Sequence, residues 1–287
     1  MFKSVKQVRA AVSLVSPDAV RALAAQPIAI GLVAGTPAGY AELEDFLLPV
    51  DVPHAARVQA METIYRADDP DVPGDVDLVL CEHGMPCPGG VYSFRRDEPQ
   101  KTVAEILHAK NGLAVPFARC FPAFRRTATD KIVQAVACEN ALFAIASALP
   151  NVVPTVFELP WVIGEFASDT AFLTVNQIRM AFLIAAACGG EIGFANQKVE
   201  ILAIVGGAFG WRALARELAG KIPMGGGLIP KGAIAYAATV LIGKGLEHYH
   251  RAGAPLTREQ KAEVYEQAYE RGKAVAESLA KPASEGE

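Results

Sequence analysis

The chain has 287 residues, a formal net charge of -4 and five cysteines, enough length for one large domain or two ordinary ones with a real core. A pI near 5.8 excludes the strongly basic face expected of a nucleic-acid binder. Irregular cysteine spacing, behind an N-terminus (MFKSVKQVRAAVSLV) with neither the apolar segment nor the cleavage site of a secretory signal, suggests a reduced, cytosolic setting.

Apolar residues recur at helical spacing to Ala24 (Val5, Val8, Val12, Val15, then Val20 and Leu23), with Ser16-Pro17-Asp18 as a break and helix start. PIAIGLVAG is a β-branched run ended by Gly and Pro and reads as a buried strand. AELEDFLLP follows as a short helix with Leu43, Phe46 and Leu47 as its apolar positions. The loop DDPDVPGD leads into a second strand, VDLVLCEHG; PQKTVAEILHAKNG is an amphipathic helix closed by Asn111-Gly112, and LAVPFARCF is expected as a third strand. RTATDKIVQAVACENALFAIASALP then gives a long helix, capped near Thr129 or Asp130 and running to Pro150. The expected domain boundary lies between Phe124 and Lys131.

Beyond it the pattern is helical over 167–188, 199–220 and 230–250, with unusually apolar helices that account for a hydrophobic content of 52%. The expected organisation is an α/β section over 1–126, an all-α apolar domain over 127–250, and a charged amphipathic helix and tail over 251–287. No segment is a clean transmembrane span, since the longest charge-free run, Asn140 to Phe157, is interrupted by Pro150, Asn151 and Pro154. The pairs Gly189/Gly193, Gly206/Gly210 and Ala233/Ala237 have the small-xxx-small spacing of closely packed helices, in lipid or in water.

The most informative motif is LVAGTPAGYAELEDFLL, a strand end, a Gly-rich turn and a helix start. A phosphate loop reads G-x-x-x-x-G-K-[ST], with Lys on the β/γ-phosphates and the hydroxyl on Mg²⁺. Here Gly35 and Gly39 stand one residue too close, and Tyr40 and Ala41 take the Lys and Ser/Thr places. Gly35, Thr36, Gly39 and Tyr40 are therefore a degenerate phosphate loop, whose backbone N–H groups leave weak GTP or GDP binding as an alternative to no cofactor at all. No catalytic residue and no metal ligand set is expected. Cys81, His83 and Cys87 in CEHGMPC lack a fourth ligand at zinc spacing. Glu139, Glu158 and Glu165 lie among apolar residues and call for intramolecular pairing, and Asn176-Gln177 with Arg179 suggests a buried polar network or a ligand contact. His248 and His250, two apart at a helix end, suit interaction with the helix C-terminus.

TVNQIRMAFLIAAACG, with VGGAFGWRALARELAGKIPMGGGLIPKGAIAYAATVLIGKGLEHYH, resembles the bacterial domain of unknown function numbered 697, which commonly follows an Era-like GTPase domain. The resemblance covers about residues 130–250 and implies a helical, membrane-associated module coupled to a GTPase-like partner. It makes the N-terminal section a reduced P-loop GTPase-like sheet, although CEHG stands where D-x-x-G would follow the second strand and N-K-x-D is missing. The expected function is a non-catalytic scaffold or membrane-associated assembly protein, cytoplasmic and peripheral to or embedded in the inner membrane. Self-association is expected through Gly206, Phe209, Gly210 and Trp211, with membrane lipid or a GTPase as further partners. A weak nucleotide-binding switch and a lipid or small-molecule carrier are the alternatives.

Overall fold

Four residues, Ile30–Val33, form β1, and their alternation decides what each face buries. In a computed structural model that describes residues 15–67, 69–86, 90–147, 169–205 and 227–280, β1 lies inside a parallel sheet with β2 (Ile64–Arg66), β3 (Leu78–Cys81) and β4 (Tyr92–Ser93), in the order β2-β1-β3-β4. Ile30 pairs with Leu78 and Leu32 with Leu80, so these four fully buried side chains line one face. Asp77 clips the start of this pair, its Oδ2 accepting from Ala29 N–H at 2.8 Å while its own N–H donates to the Ala29 carbonyl.

The helices that go with this sheet are α1 (Pro17–Ala24), α2 (Pro37–Leu47), α3 (His54–Met61), α4 (Pro99–Ala109) and α5 (Ala114–Cys120). They belong to a unit comprising Asp18–Asp130 and Ala185–Glu191. The short strands β2, in ETIYR, and β4 are additions to the expected strands, and one expectation is corrected, since LAVPFARCF is no strand but the end of a 3₁₀ turn followed by α5. Pro116 falls in the first turn of α5, where its missing N–H costs nothing. Five consecutive buried residues from Ala114 to Ala118 make this helix apolar all round, so its periodicity is lost in a run that also suits a strand.

The second unit comprises Lys131–Ile184 and Ile192–Glu287 together with Met1–Pro17. Its described residues are helical: part of α6 (Pro122–Ala146), most of α7 (Asp169–Ala187), α8 (residues 198–205), α9 (Leu228–Ala252) and α10 (Arg258–Ala280). The structure thus has an α/β part and a helical part. No described helix is long and apolar enough to cross a membrane. α6 starts at Pro122, a residue preorganised for the first helical position, and not at a cap near Thr129. Thr129 sits inside the helix with its hydroxyl turned back onto the Arg125 and Arg126 carbonyls.

Small residues let these helices approach. A Cβ on Gly272 of α10 would lie 2.9 Å from the Ala233 carbonyl oxygen of α9, and one on Gly243 of α9 would overlap Val133 of α6. Ala233 and Ala237 are fully buried, so that pair serves packing inside the chain. The pair Gly189/Gly193 does not lie on a helix face. Gly189 takes φ +79° just past α7, where its N–H and that of Gly190 close the helix on the Ala186 and Ala185 carbonyls. Gly206 and Gly210 lie outside the described residues.

Within this apolar interior runs a connected polar chain. Asn176 Nδ2 donates to Asn140 Oδ1 at 2.9 Å and to Glu139 Oε2 at 2.9 Å, Asn140 Nδ2 donates to Thr239 Oγ1 at 2.8 Å, and Gln177 Nε2 reaches the same hydroxyl at 3.3 Å. The Thr239 hydroxyl donates to the Ala235 carbonyl, and Arg179 closes the other end on Glu139 at 2.7 Å and on Asn176 Oδ1 at 3.1 Å. The polar network expected at Asn176-Gln177-Arg179 is present, and Glu139 is paired. Its partners come from α6, α7 and α9, so it fixes which turns of three helices face one another.

A second polar contact ties α8 to the last turn of α9. Gln197 Nε2 donates to Glu200 Oε2 at 2.8 Å, and His250 Nε2 lies 3.6 Å from Glu200 Oε1. Burial alone pushes the Glu200 carboxyl up, but the nearby His250 imidazole and the Gln197 hydrogen bond outweigh it and hold the group below the usual carboxylate range. A carboxyl depressed in the folded state contributes stability above its unfolded pKa and loses it as pH falls through the folded value. Lowering pH from about 5 to about 3 should therefore cost the wild type more stability than Glu200→Gln, measured by urea unfolding at each pH.

Candidate functional site

In an open parallel sheet the ligand crevice lies beyond the carboxyl ends of the strands, where the strand order reverses. With β2 on one side of β1 and β3 on the other, that point is the gap between the ends of β1 and β3. The chain leaves β1 at Val33 through Ala34 and Gly35 into α2, and leaves β3 at Cys81 into Glu82. The sequence's candidate loop therefore stands at the position where this class of sheet binds ligands.

The α2 N-terminus is capped from within. Thr36 is the N-cap, with its Oγ1 accepting from Gly39 N–H at 3.0 Å; Pro37 occupies the first helical position; and Tyr40 N–H donates to the Thr36 carbonyl at 3.2 Å. The first turn of α2 holds no acidic residue. The negative charge that the helix dipole attracts comes from β3 instead. Glu82 Oε2 accepts from Gly35 N–H at 2.8 Å, and the same residue's backbone N–H extends the ladder to the Val33 carbonyl at 2.8 Å. Its carboxylate lies so close over Gly39 that a Cβ there would overlap Cδ and both oxygens. A side chain at position 39 would displace the Glu82 carboxylate from this place.

The sequence-predicted residues Gly35, Thr36, Gly39 and Tyr40 are thus brought together. Glu82 completes the site and was missed. The signal for it was an acidic residue just past the end of the strand beside the Gly-rich loop, in CEHG, one residue after the place where D-x-x-G would begin. Tyr40, in the Lys place, carries the Arg66 guanidinium over its ring at 5.1 Å. Arg66 also donates to Glu44 at 2.8 and 3.0 Å, and Arg96 holds Glu42 through two bonds, the second at 2.6 Å, which keeps the Glu42 carboxyl below the usual range. Arg66 and Arg96 are both committed to carboxylates.

The cysteine motif resolves differently. Cys81 is disulfide-bonded, which corrects the expectation of reduced thiols at that position and removes it as a thiolate ligand. Cys120, Cys138 and Cys188 are free thiols. His83 Nδ1 lies 3.1 Å from the Phe94 carbonyl, and Cys87 lies outside the described residues. Among the described residues no group of three His, Cys, Asp or Glu is placed to hold a metal ion. The proposed contact residues Gly206, Phe209, Gly210 and Trp211 also lie outside the described residues.

The two loop glycines differ in what they tolerate. A Cβ on Gly35 meets Glu82 Oε2 at 3.7 Å and Met85 Sδ at 3.8 Å, ordinary contacts, whereas one on Gly39 displaces the carboxylate. Gly39→Ala should move the Glu82 carboxylate off the Gly35 N–H and raise the hydrogen-exchange rate of that amide, whereas Gly35→Ala should leave the Glu82 carboxylate in place, both read by NMR hydrogen exchange. Comparison of the chain with protein-family models, with curated proteins and with solved structures finds no match in any of the three.

Proposed function

We propose that this chain is a non-catalytic scaffold or membrane-associated assembly protein. Its α/β unit is read as a GTPase-like domain that has lost the residues of phosphoryl transfer, and its helical part as akin to the domain numbered 697. The observation that carries this reading is the seating of the Glu82 carboxylate on the loop and helix start where a nucleotide phosphate would lie. A second negative group there would face Glu82 directly, with Tyr40 in place of the cation and Ala41 in place of the Mg²⁺ ligand.

The scaffold half of the proposal draws on the helical part. Val199 and Leu202 of α8 are 79% and 70% exposed, an unusual condition for large apolar side chains on a helix whose Ile201 and Ile204 are buried. Self-association or membrane association would cover such surface, as the resemblance also implies.

Two measurements test this reading. Purified protein with Mg²⁺ and GTP or ATP should release phosphate at the buffer rate, and Mg²⁺-dependent turnover that Gly39→Asp abolishes would refute the non-catalytic assignment. In liposome flotation run beside sizing, the full chain should float or run as an oligomer. A detergent-independent monomer that stays with the soluble fraction would refute the scaffold assignment.

A further inference from the structure

We infer that His250 and Glu200 form a pH-sensitive clasp, which holds α8 on the last turn of α9 while the imidazole is charged and loosens as pH rises through the range in which histidine loses its proton. The inference goes beyond the scaffold reading, because it concerns how one apolar helix is kept in place and what lets it go.

Only the charged pair is satisfied at this contact. His250 Nε2 is buried with no hydrogen-bond partner, and it lies 3.6 Å from Glu200 Oε1, within ion-pair range and too far for a hydrogen bond. The two side chains are 16% and 12% exposed, so water does little to replace a missing partner. A neutral imidazole there turns either a lone pair or an N–H out of reach toward the carboxylate, and each is a buried polar atom left unmet. An imidazolium turns a positive charge toward it, in surroundings that screen the pair far less than bulk water does. Glu200 keeps one other contact, the 2.8 Å bond from Gln197 Nε2.

No other charge competes for the pair. Among the described residues, Glu200 is the carboxylate within ion-pair distance of His250. Along α9, Lys244 and Glu247 pair with each other at 2.8 Å, His248 and Arg251 are chain neighbours, and the Tyr249 ring meets the imidazole edge-on at 5.9 Å. On α7, Arg179 is engaged with Glu139, and on α10, Lys273 is engaged with Glu270.

The element so held is α8. Gln197 ties the turn before it to the Ala181 carbonyl of α7 at 3.1 Å, Ile201 and Ile204 face inward, and Val199 and Leu202 face out. Opening the clasp adds Ile201 and Ile204 to an apolar surface that is already exposed on the other side, so pH sets how much of this helix is offered. Closing takes up a proton at His250. The closed form is therefore favoured as pH falls through the imidazole range and lost as pH rises through it, and protonation of Glu200 at lower pH removes the other half of the pair.

Hydrogen exchange of the full chain tests the clasp, with every amide rate divided by its intrinsic rate at the same pH. In the wild type, opening of residues 201–205 should rise about three- to tenfold from about pH 6 to about pH 8, relative to residues 235–243 of α9. His250→Gln, which has no charge to lose, should exchange at a raised level that does not change with pH. Should that variant fail to fold, Glu200→Gln takes its place and should show the same flat profile. A wild-type protein in which α8 and α9 change together overturns the inference. A rise that persists in the folded variant also overturns it, since a histidine that only packs would alter the protection and leave its pH dependence intact.

Discussion

An α-helix begins with backbone N–H groups that have no partner in the helix and with the positive end of its dipole, and both must be met by something. In α2 the chain meets them from two directions. Thr36 supplies the local cap, and Glu82, arriving from the neighbouring strand, supplies the charge. That second contact joins the ends of β1 and β3 beyond their last ladder bond and fixes where the loop from Ala34 to Thr36 lies. It also uses the space that a glycine leaves at position 39, which a side chain there would take from the carboxylate. The open space at Gly39 and the acceptor on Gly35 N–H meet in one interaction.

The helical part is organised by the opposite problem. Helices that are apolar on most faces can slide and rotate against one another at little cost, because one apolar contact replaces another. Directional contacts remove that freedom. The chain from Arg179 and Glu139 through Asn176 and Asn140 to Thr239 is satisfied only when three helices adopt one register, and a one-turn slip would leave amides buried without partners. Glycines at 243 and 272 then set how near the helices come. High apolar content and a defined arrangement are compatible because a few polar atoms carry the specificity.

The legible parts of the fold were those with strong local signals. β1, β3, α2, α4, α7, α9 and the charged helix α10 follow from periodicity, from β-branched runs and from Pro or Gly at their ends. β2 was hidden because its three residues are only half-buried or exposed, so its place depends on pairing with Ile30, Gly31 and Leu32. α5 was mistaken because a short helix buried on all sides has no amphipathic period. The site was half visible. Gly35, Thr36, Gly39 and Tyr40 stand together in sequence, whereas Glu82 lies 47 residues away from Gly35 and is brought in only by the parallel pairing of β1 with β3. Its charge was readable and its destination was not, because a crossover sets that destination.

The central claim concerns a single hydrogen bond, and NMR can observe it directly. A scalar coupling across the hydrogen bond, between the Gly35 backbone ¹⁵N and the Glu82 side-chain carboxylate ¹³C, should be detectable in the wild-type protein at neutral pH. It should appear alongside the coupling from Glu82 ¹⁵N to the Val33 carbonyl, which belongs to the same pair of strand ends. A spectrum that shows the Val33 coupling and lacks the one from Gly35 to Glu82 would mean that the strands pair as described while the carboxylate lies elsewhere, and the account of a loop and helix start held from the end of β3 would be wrong.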